Sequence, residues 1–270
     1  MRSIILWGIM LIPLSLLAQP RVDTRWQIGL GYTQFKTLDL QHSPLMYRAH
    51  AGQLSAQFAR HHEKGSWQLG LTLAAGGQQA QRFGQRTAYV YDPYDIYGER
   101  DSVQYVLNPA FSFGRASLHF ARFWRLPVDK VQLEVGFRVE DVFHYAGLGA
   151  ATWFFNQLTL APAVKGMYPV GPGRVEAEIS SSLIAYTLGL PYVLDPSTPN
   201  YPNPWSYVET GSHLGTVTSF RQAQMKLAYS IPLGSHEVGL GYRLDWLQSQ
   251  PKDYQPLSAY GHTIQFTYNF

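Results

Sequence analysis

Seven stretches of this chain place an apolar residue at every second position, and three more do so less regularly. The clearest is Val131–Glu140, where Val131, Leu133, Val135, Phe137 and Val139 alternate with Gln132, Glu134, Gly136, Arg138 and Glu140. Successive side chains of a β-strand point to opposite faces, so such a run has one greasy and one polar surface. Trp26, Ile28, Leu30 and Tyr32 repeat the pattern against Gln27, Gly29, Gly31 and Thr33, and Val238–Trp246 and Ile264–Phe270 repeat it again. The spacing predicts strands near 24–36, 47–61, 65–78, 104–125, 130–143, 151–168, 173–187, 214–231, 235–248 and 257–270. Within Ala110–Trp124 the parity switches around Gly114 and Arg115, which predicts a β-bulge there.

The connections alternate in length. Those at 61–64, 126–129, 169–172 and 232–234 are short, and those at 37–46, 79–103, 191–213 and 249–256 are long. Only 144–150 is short where a long one is due. Tight turns on one rim and long loops on the other are the form of an all-β, antiparallel, up-and-down transmembrane β-barrel with short periplasmic turns and long outer loops. A single spanning helix over 142–164 is excluded by content. The segment has no Asp, Glu, Lys or Arg but carries His144, Gly147, Gly149, Asn156, Gln157 and Pro162, which reads as strand, turn, strand.

A soluble β-sandwich would also alternate. Composition argues against it. Charged residues are 14% of the chain, against roughly 25% in ordinary soluble domains. Aromatics also reach 14% and sit near strand ends. Trp26, Phe58, Trp67, Trp124, Tyr168, Tyr229 and Phe270 fall toward one rim, and Tyr32, Phe143 and Trp246 toward the other, as two membrane-interface girdles would. Residues 1–18 read as a secretory signal peptide, with Arg2 before an apolar run, leaving 19–270 as one barrel domain. The chain has no Cys, which excludes disulfides, thiolate metal sites and a lipoprotein anchor. Its 21 basic and 18 acidic residues form no basic run, so nucleic acid is not an expected partner.

The last strand alternates to its end, with Phe266, Tyr268 and Phe270 on one face. This resembles the assembly signal of bacterial outer-membrane β-barrel proteins. The resemblance covers 19–270 in pattern and is specific at the last strand. It implies a bacterial outer-membrane location, surrounding outer-membrane lipid, and insertion by the barrel-assembly machinery.

The assigned inward faces carry Glu134, Glu140, Glu176, Glu178, Glu237 and Asp245, and Arg25, Arg138, Lys165, Arg174, Lys226 and Arg243. Equal numbers of both signs predict a paired network, not a single-sign ion filter. About ten strands leave a narrow lumen, either plugged or a slender pore. Outer-membrane phospholipases and deacylases set His and Ser two apart on one strand face, and no His here is followed by Ser at that spacing. Asp141 with His144 and Glu209 with His213, near the outer rim, lack the Asp-x-His spacing of outer-membrane proteases. No catalytic residue, metal site or cofactor is expected. Two long loops offer binding surfaces instead. Tyr91, Asp92, Tyr94, Asp95 and Tyr97 lie in one, and Trp205 in a Pro-rich other. The expectation is a barrel with a binding or structural role, as accessory subunit of an envelope complex with a protein partner. The alternatives are a small selective channel and, further off, an outer-membrane hydrolase.

Overall fold

Backbone N–H and C=O groups find no partner in hydrocarbon, so a sheet that crosses a membrane has to close on itself. In the computed structural model, which describes residues 23–39, 45–81, 86–91, 102–107, 110–128, 131–148, 151–189, 211–250 and 256–270, it does. The strands are β1 (Asp23–Asp39), β2 (Met46–His62), β3 (Gly65–Ala80), β4 (Arg86–Tyr91), β5 (Ser102–Leu107), β6 (Ala110–Leu126) and β7 (Gln132–Leu148). They continue with β8 (Ala151–Val170), β9 (Gly173–Ser181), β10 (Ile184–Gly189), β11 (Ser212–Thr216), β12 (Phe220–Leu233), β13 (His236–Ser249) and β14 (Leu257–Asn269). Every pairing is antiparallel. β1 pairs with β2 on one side and β14 on the other, which forms the closing seam. β9 and β10 together make one stave against β8, and β11 and β12 make the next, giving the ten staves of an antiparallel transmembrane barrel. β4 and β5 form a separate two-stranded hairpin.

Two expectations need correction. The segment 104–125 is not one strand: β5 ends at Leu107 and pairs with β4, and the barrel stave begins at Ala110. The intervening sequence holds Pro109, which has no N–H to give a ladder. Nor is there a bulge at Gly114. β6 keeps one register with β3 from Gly65↔Trp124 to Gln79↔Ala110, and one with β7 from Ser112↔Gly147 to Leu126↔Leu133. The parity switch has another cause. Phe113 points inward and packs on Phe35, with ring centroids 6.0 Å apart, so here an apolar residue faces the lumen. The bulge lies elsewhere. Ala163 faces Ser180 on β9, whereas Leu160 faces Ile184 on β10, a shift of one residue at Ser182 and Leu183. Leu183 and Ile184 consequently both face outward, 51% and 45% exposed.

The outer surface is apolar. Leu30, Leu54, Leu73, Leu160, Leu240 and Ile264 are among its large exposed side chains, a surface no water-soluble monomer maintains. Rings on this face run from stave to stave: Trp26 lies 4.9 Å from Phe58, Phe58 lies 5.2 Å from Trp67, and Trp67 lies 6.4 Å from Phe120. No helix among the described residues is long and apolar enough to cross a membrane. On the turn rim, Gly171 (φ 58°) and Gly234 (φ 66°) open two-residue hairpins after Val170 and Leu233. That left-handed conformation favours glycine.

Phe266, Tyr268 and Phe270 all face outward on β14. Phe270 locks the seam, its N–H donating to the Trp26 carbonyl at 2.9 Å and its carbonyl accepting from the Trp26 N–H at 3.0 Å. Deleting Phe270 removes both bonds, a loss of about 2 kcal/mol at roughly 1 kcal/mol net each. The truncated chain is expected to assemble poorly, seen as loss of the heat-modifiable band on cold-loaded gels.

Candidate functional site: the lumen

Alternation carries one residue in two of every stave into the lumen, and the closed register stacks those residues in levels. Near the turn rim the level is polar. Glu134 is fully buried; it accepts from Ser66 Oγ at 2.9 Å and Gln132 Nε2 at 2.8 Å, and Arg125 lies 3.8 Å away. Glu237 bridges Arg25 and Arg174, each at 2.8 Å, and accepts from Asn269 Nδ2 at 3.2 Å. Glu176 lies 3.3 Å from Lys165 and 3.7 Å from Lys226. A small polar cavity of about 100 Å³ opens on this side.

At mid-height the charges reach across the barrel. Arg243 on β13 donates to Glu140 on β7 at 3.1 Å and to Asp245 at 2.8 Å. Arg115 on β6 donates to the other oxygen of Asp245 at 3.4 Å, and Gln224 on β12 donates to Glu140. Arg138 on β7 pairs with Glu178 on β9. None of these pairs joins neighbouring staves apart from Arg243 and Asp245 on one strand, so the belt ties opposite walls together. Toward the loop rim the contents become apolar: Phe35, Phe113, Phe155, Phe220, Leu247 and Leu257 form one buried cluster. His144 stacks on Phe35 at 5.2 Å, and the Arg115 guanidinium lies over the same ring at 5.6 Å. The lumen is thus a polar vestibule, an ionic belt and an aromatic layer in series.

The sequence-assigned network falls into separate groups. Glu140, Arg243 and Asp245 meet in the belt, Arg138 meets Glu178, and Lys226 meets Glu176. Glu134 belongs to the turn rim with different partners. Arg115, Gln224 and His119, all buried and inward, were not anticipated. Carrying the β6 alternation without a break places Arg115 inside, so the supposed bulge hid it, whereas His119 lies between outward Leu118 and Phe120 on either reading. His144 lies toward the outer rim as expected, but buried, 4% exposed inside the aromatic layer. Both ring nitrogens of His119 lack a hydrogen-bond partner within the protein. Tyr91 ends β4; Asp92, Tyr94, Asp95, Tyr97 and Trp205 lie outside the described residues, as do residues 1–18. Among the described residues no group of three His, Asp or Glu side chains is placed to hold a metal ion.

No protein-family model matches the sequence, and no curated protein is similar to it. Solved structures with a similar course of chain include the translocator domain of the autotransporter NalP from Neisseria meningitidis. It is 10% identical, with 98% of this chain and 94% of that chain covered and a TM-score of 0.43. The β domain of the Bordetella autotransporter BrkA is 11% identical over 92% of this chain and 100% of its own, with a TM-score of 0.41. An outer membrane channel from Pseudomonas putida F1 is 10% identical over 94% and 97%, with a TM-score of 0.36. Likeness at this level carries no inference about function.

Glu140 is the most consequential member of the belt, since it is 1% exposed and receives both Arg243 and Gln224. Removing one partner of a buried pair leaves a charge unmatched, at a cost of about 3–5 kcal/mol. Glu140→Ala is therefore expected to lower the midpoint of urea unfolding in lipid vesicles. Combining Glu140→Leu with Arg243→Met should recover most of that loss, because neither charge then remains.

Proposed function

We propose that the protein is an outer-membrane barrel with a closed lumen and a binding or structural role, serving as an accessory subunit of an envelope assembly. The observation that carries this reading is the cross-lumen belt of Arg115, Glu140, Arg243 and Asp245, roofed by Phe35, Phe113, Phe155 and Phe220. A conducting pore needs a continuous wet path, and the side chains of these two levels lie across the line such a path would take, which supports a closed lumen. Outer-membrane placement is supported by the apolar outer face and the two aromatic rims, with insertion by the barrel-assembly machinery supported by the Phe266, Tyr268 and Phe270 pattern.

The reading includes no catalysis. Asp141 and His144 point to opposite faces of β7: Asp141 lies outside, accepting from Asn156 Nδ2 at 2.7 Å, while His144 is packed on Phe35. Acid–base work requires the two groups within reach of one substrate. The working surface in this proposal is the loop rim, where the β4–β5 hairpin lies between β3 and β6 in the chain.

The purified protein is expected to fractionate with the outer membrane and to stay electrically silent in planar bilayers. A steady open conductance whose ion preference shifts with Glu134→Gln or Arg138→Gln would establish the selective channel in its place. Deleting residues 86–107, the whole hairpin, is expected to leave the folded mobility intact and to abolish co-purification of a fixed envelope partner. Hydrolysis of phospholipid, lipid A or peptide that is lost in His144→Ala would overturn the non-catalytic part.

A further inference from the structure

The outer face of β1, β2, β3, β6 and β7 is not evenly covered. A groove of about 620 Å³ opens on it, walled by Tyr145 and Phe143 on β7 and floored lower down by Leu30, Leu54 and Leu73. The register sets Gly52, Ala75 and Gly114 side by side across β2, β3 and β6, and Gly77 lies beside His50 in the next row toward the loops. A Cβ added at Gly52 or Gly77 would meet nothing within 4 Å. Side chains there would fit and would favour the strand, because glycine weakens strand interiors and often marks close approach of another molecule.

Loop-ward of the groove stand two cations. Lys36 and Arg48 occupy the same outward face and are direct cross-strand partners. Like charges placed directly opposite each other are unfavourable. Among the described residues no carboxylate pairs with either: Lys36 sits 5.7 Å from the centroid of the Tyr260 ring, and Arg48 Nε lies 3.3 Å from the Gln81 side-chain amide. Four residues along β2 separate Arg48 from Gly52, about 13 Å at roughly 3.3 Å per residue. Cations at the interface with an apolar trough beneath match an anionic headgroup above acyl chains. The trough reaches from β1 to β7, four strand spacings, about 19 Å at roughly 4.8 Å each. That width suits several chains abreast rather than one.

We propose that this face binds a phosphorylated, multiply acylated glycolipid of the lipid A class, with its phosphate between Lys36 and Arg48 and its chains running past Gly77 onto Gly52, Ala75 and Gly114. The proposal rests on the membrane reading given above. In it, the anion relieves the Lys36–Arg48 repulsion, and the glycines keep the trough open for the chains.

The test uses the folded protein in detergent, with diphosphoryl lipid A as probe and phosphatidylcholine as neutral control, read by native mass spectrometry. Lipid A is expected to remain bound in preference to phosphatidylcholine. Lys36→Gln with Arg48→Gln should weaken it by roughly tenfold or more. Gly52→Leu with Gly77→Leu, in the groove and in the row above it at positions where an added Cβ meets nothing within 4 Å, should weaken it while leaving heat-modifiable mobility unchanged. Equal retention of the two lipids by a folded barrel, or lipid A binding indifferent to both double variants, overturns the proposal. So does a two-copy mass that the leucine variant abolishes, since the face is then a contact between barrels. Failure to fractionate with membranes would instead sink the underlying membrane reading, and the two failures are read in separate experiments.

Discussion

Everything in this molecule depends on the pairing of β1 with β14. Their register runs unbroken from Gln27↔Asn269 to Asp39↔Leu257, and the Trp26–Phe270 bonds extend it to the turn rim. Without that ladder the sheet would have two long edges, each a row of backbone groups that hydrocarbon cannot satisfy. Closure also creates an inside. The polar residues on alternate positions are tolerable only because they face one another across a few ångströms of lumen instead of lipid.

The inside is built to hold its shape. Glu140, Arg243, Asp245 and Arg115 belong to β7, β13 and β6, so the Arg243–Glu140 and Arg115–Asp245 contacts brace walls that share no backbone bonds. Buried ion pairs add little net stability over an apolar filling, because desolvating the charges offsets much of their attraction. They do fix geometry, since a guanidinium accepts its carboxylates only in a narrow range of positions. The aromatic level above them supplies the burial that the belt does not, with Phe35 serving both: it packs on Phe113 and presents its ring face to the Arg115 guanidinium.

The barrel was legible in the sequence because period two is a local signal, repeated in strands long enough to read. Its limits were just as physical. Alternation identifies an inward face only while inward means polar. Once Phe113 and Phe155 line the lumen, the code inverts, and a change of contents is mistaken for a change of backbone. The true bulge left only Leu183, Ile184 and Ala185, three apolar residues in a row after Ser180, Ser181 and Ser182. Which charges pair could not be read at all. The meeting of Glu140 with Arg243 spans 103 positions and follows from stave order and stagger, neither of which alternation encodes.

The slip at Ser182 has a consequence for how this chain tolerates insertions and deletions. Gain or loss of a residue is usually absorbed in loops, and a strand interior punishes it because every later side chain changes face. Here the extra residue is already built into the middle of a stave. It re-phases the loop-ward half so that Ala185 and Thr187 face in and Tyr186 faces out. Deleting one residue at this point would regularise the backbone and leave Tyr186 outside, whereas straightening the strand with every residue kept would turn Tyr186 into the lumen, where His213 on β11 and Gln157 on β8 flank its neighbour Thr187. The irregular spelling is the one that keeps the wall right side out.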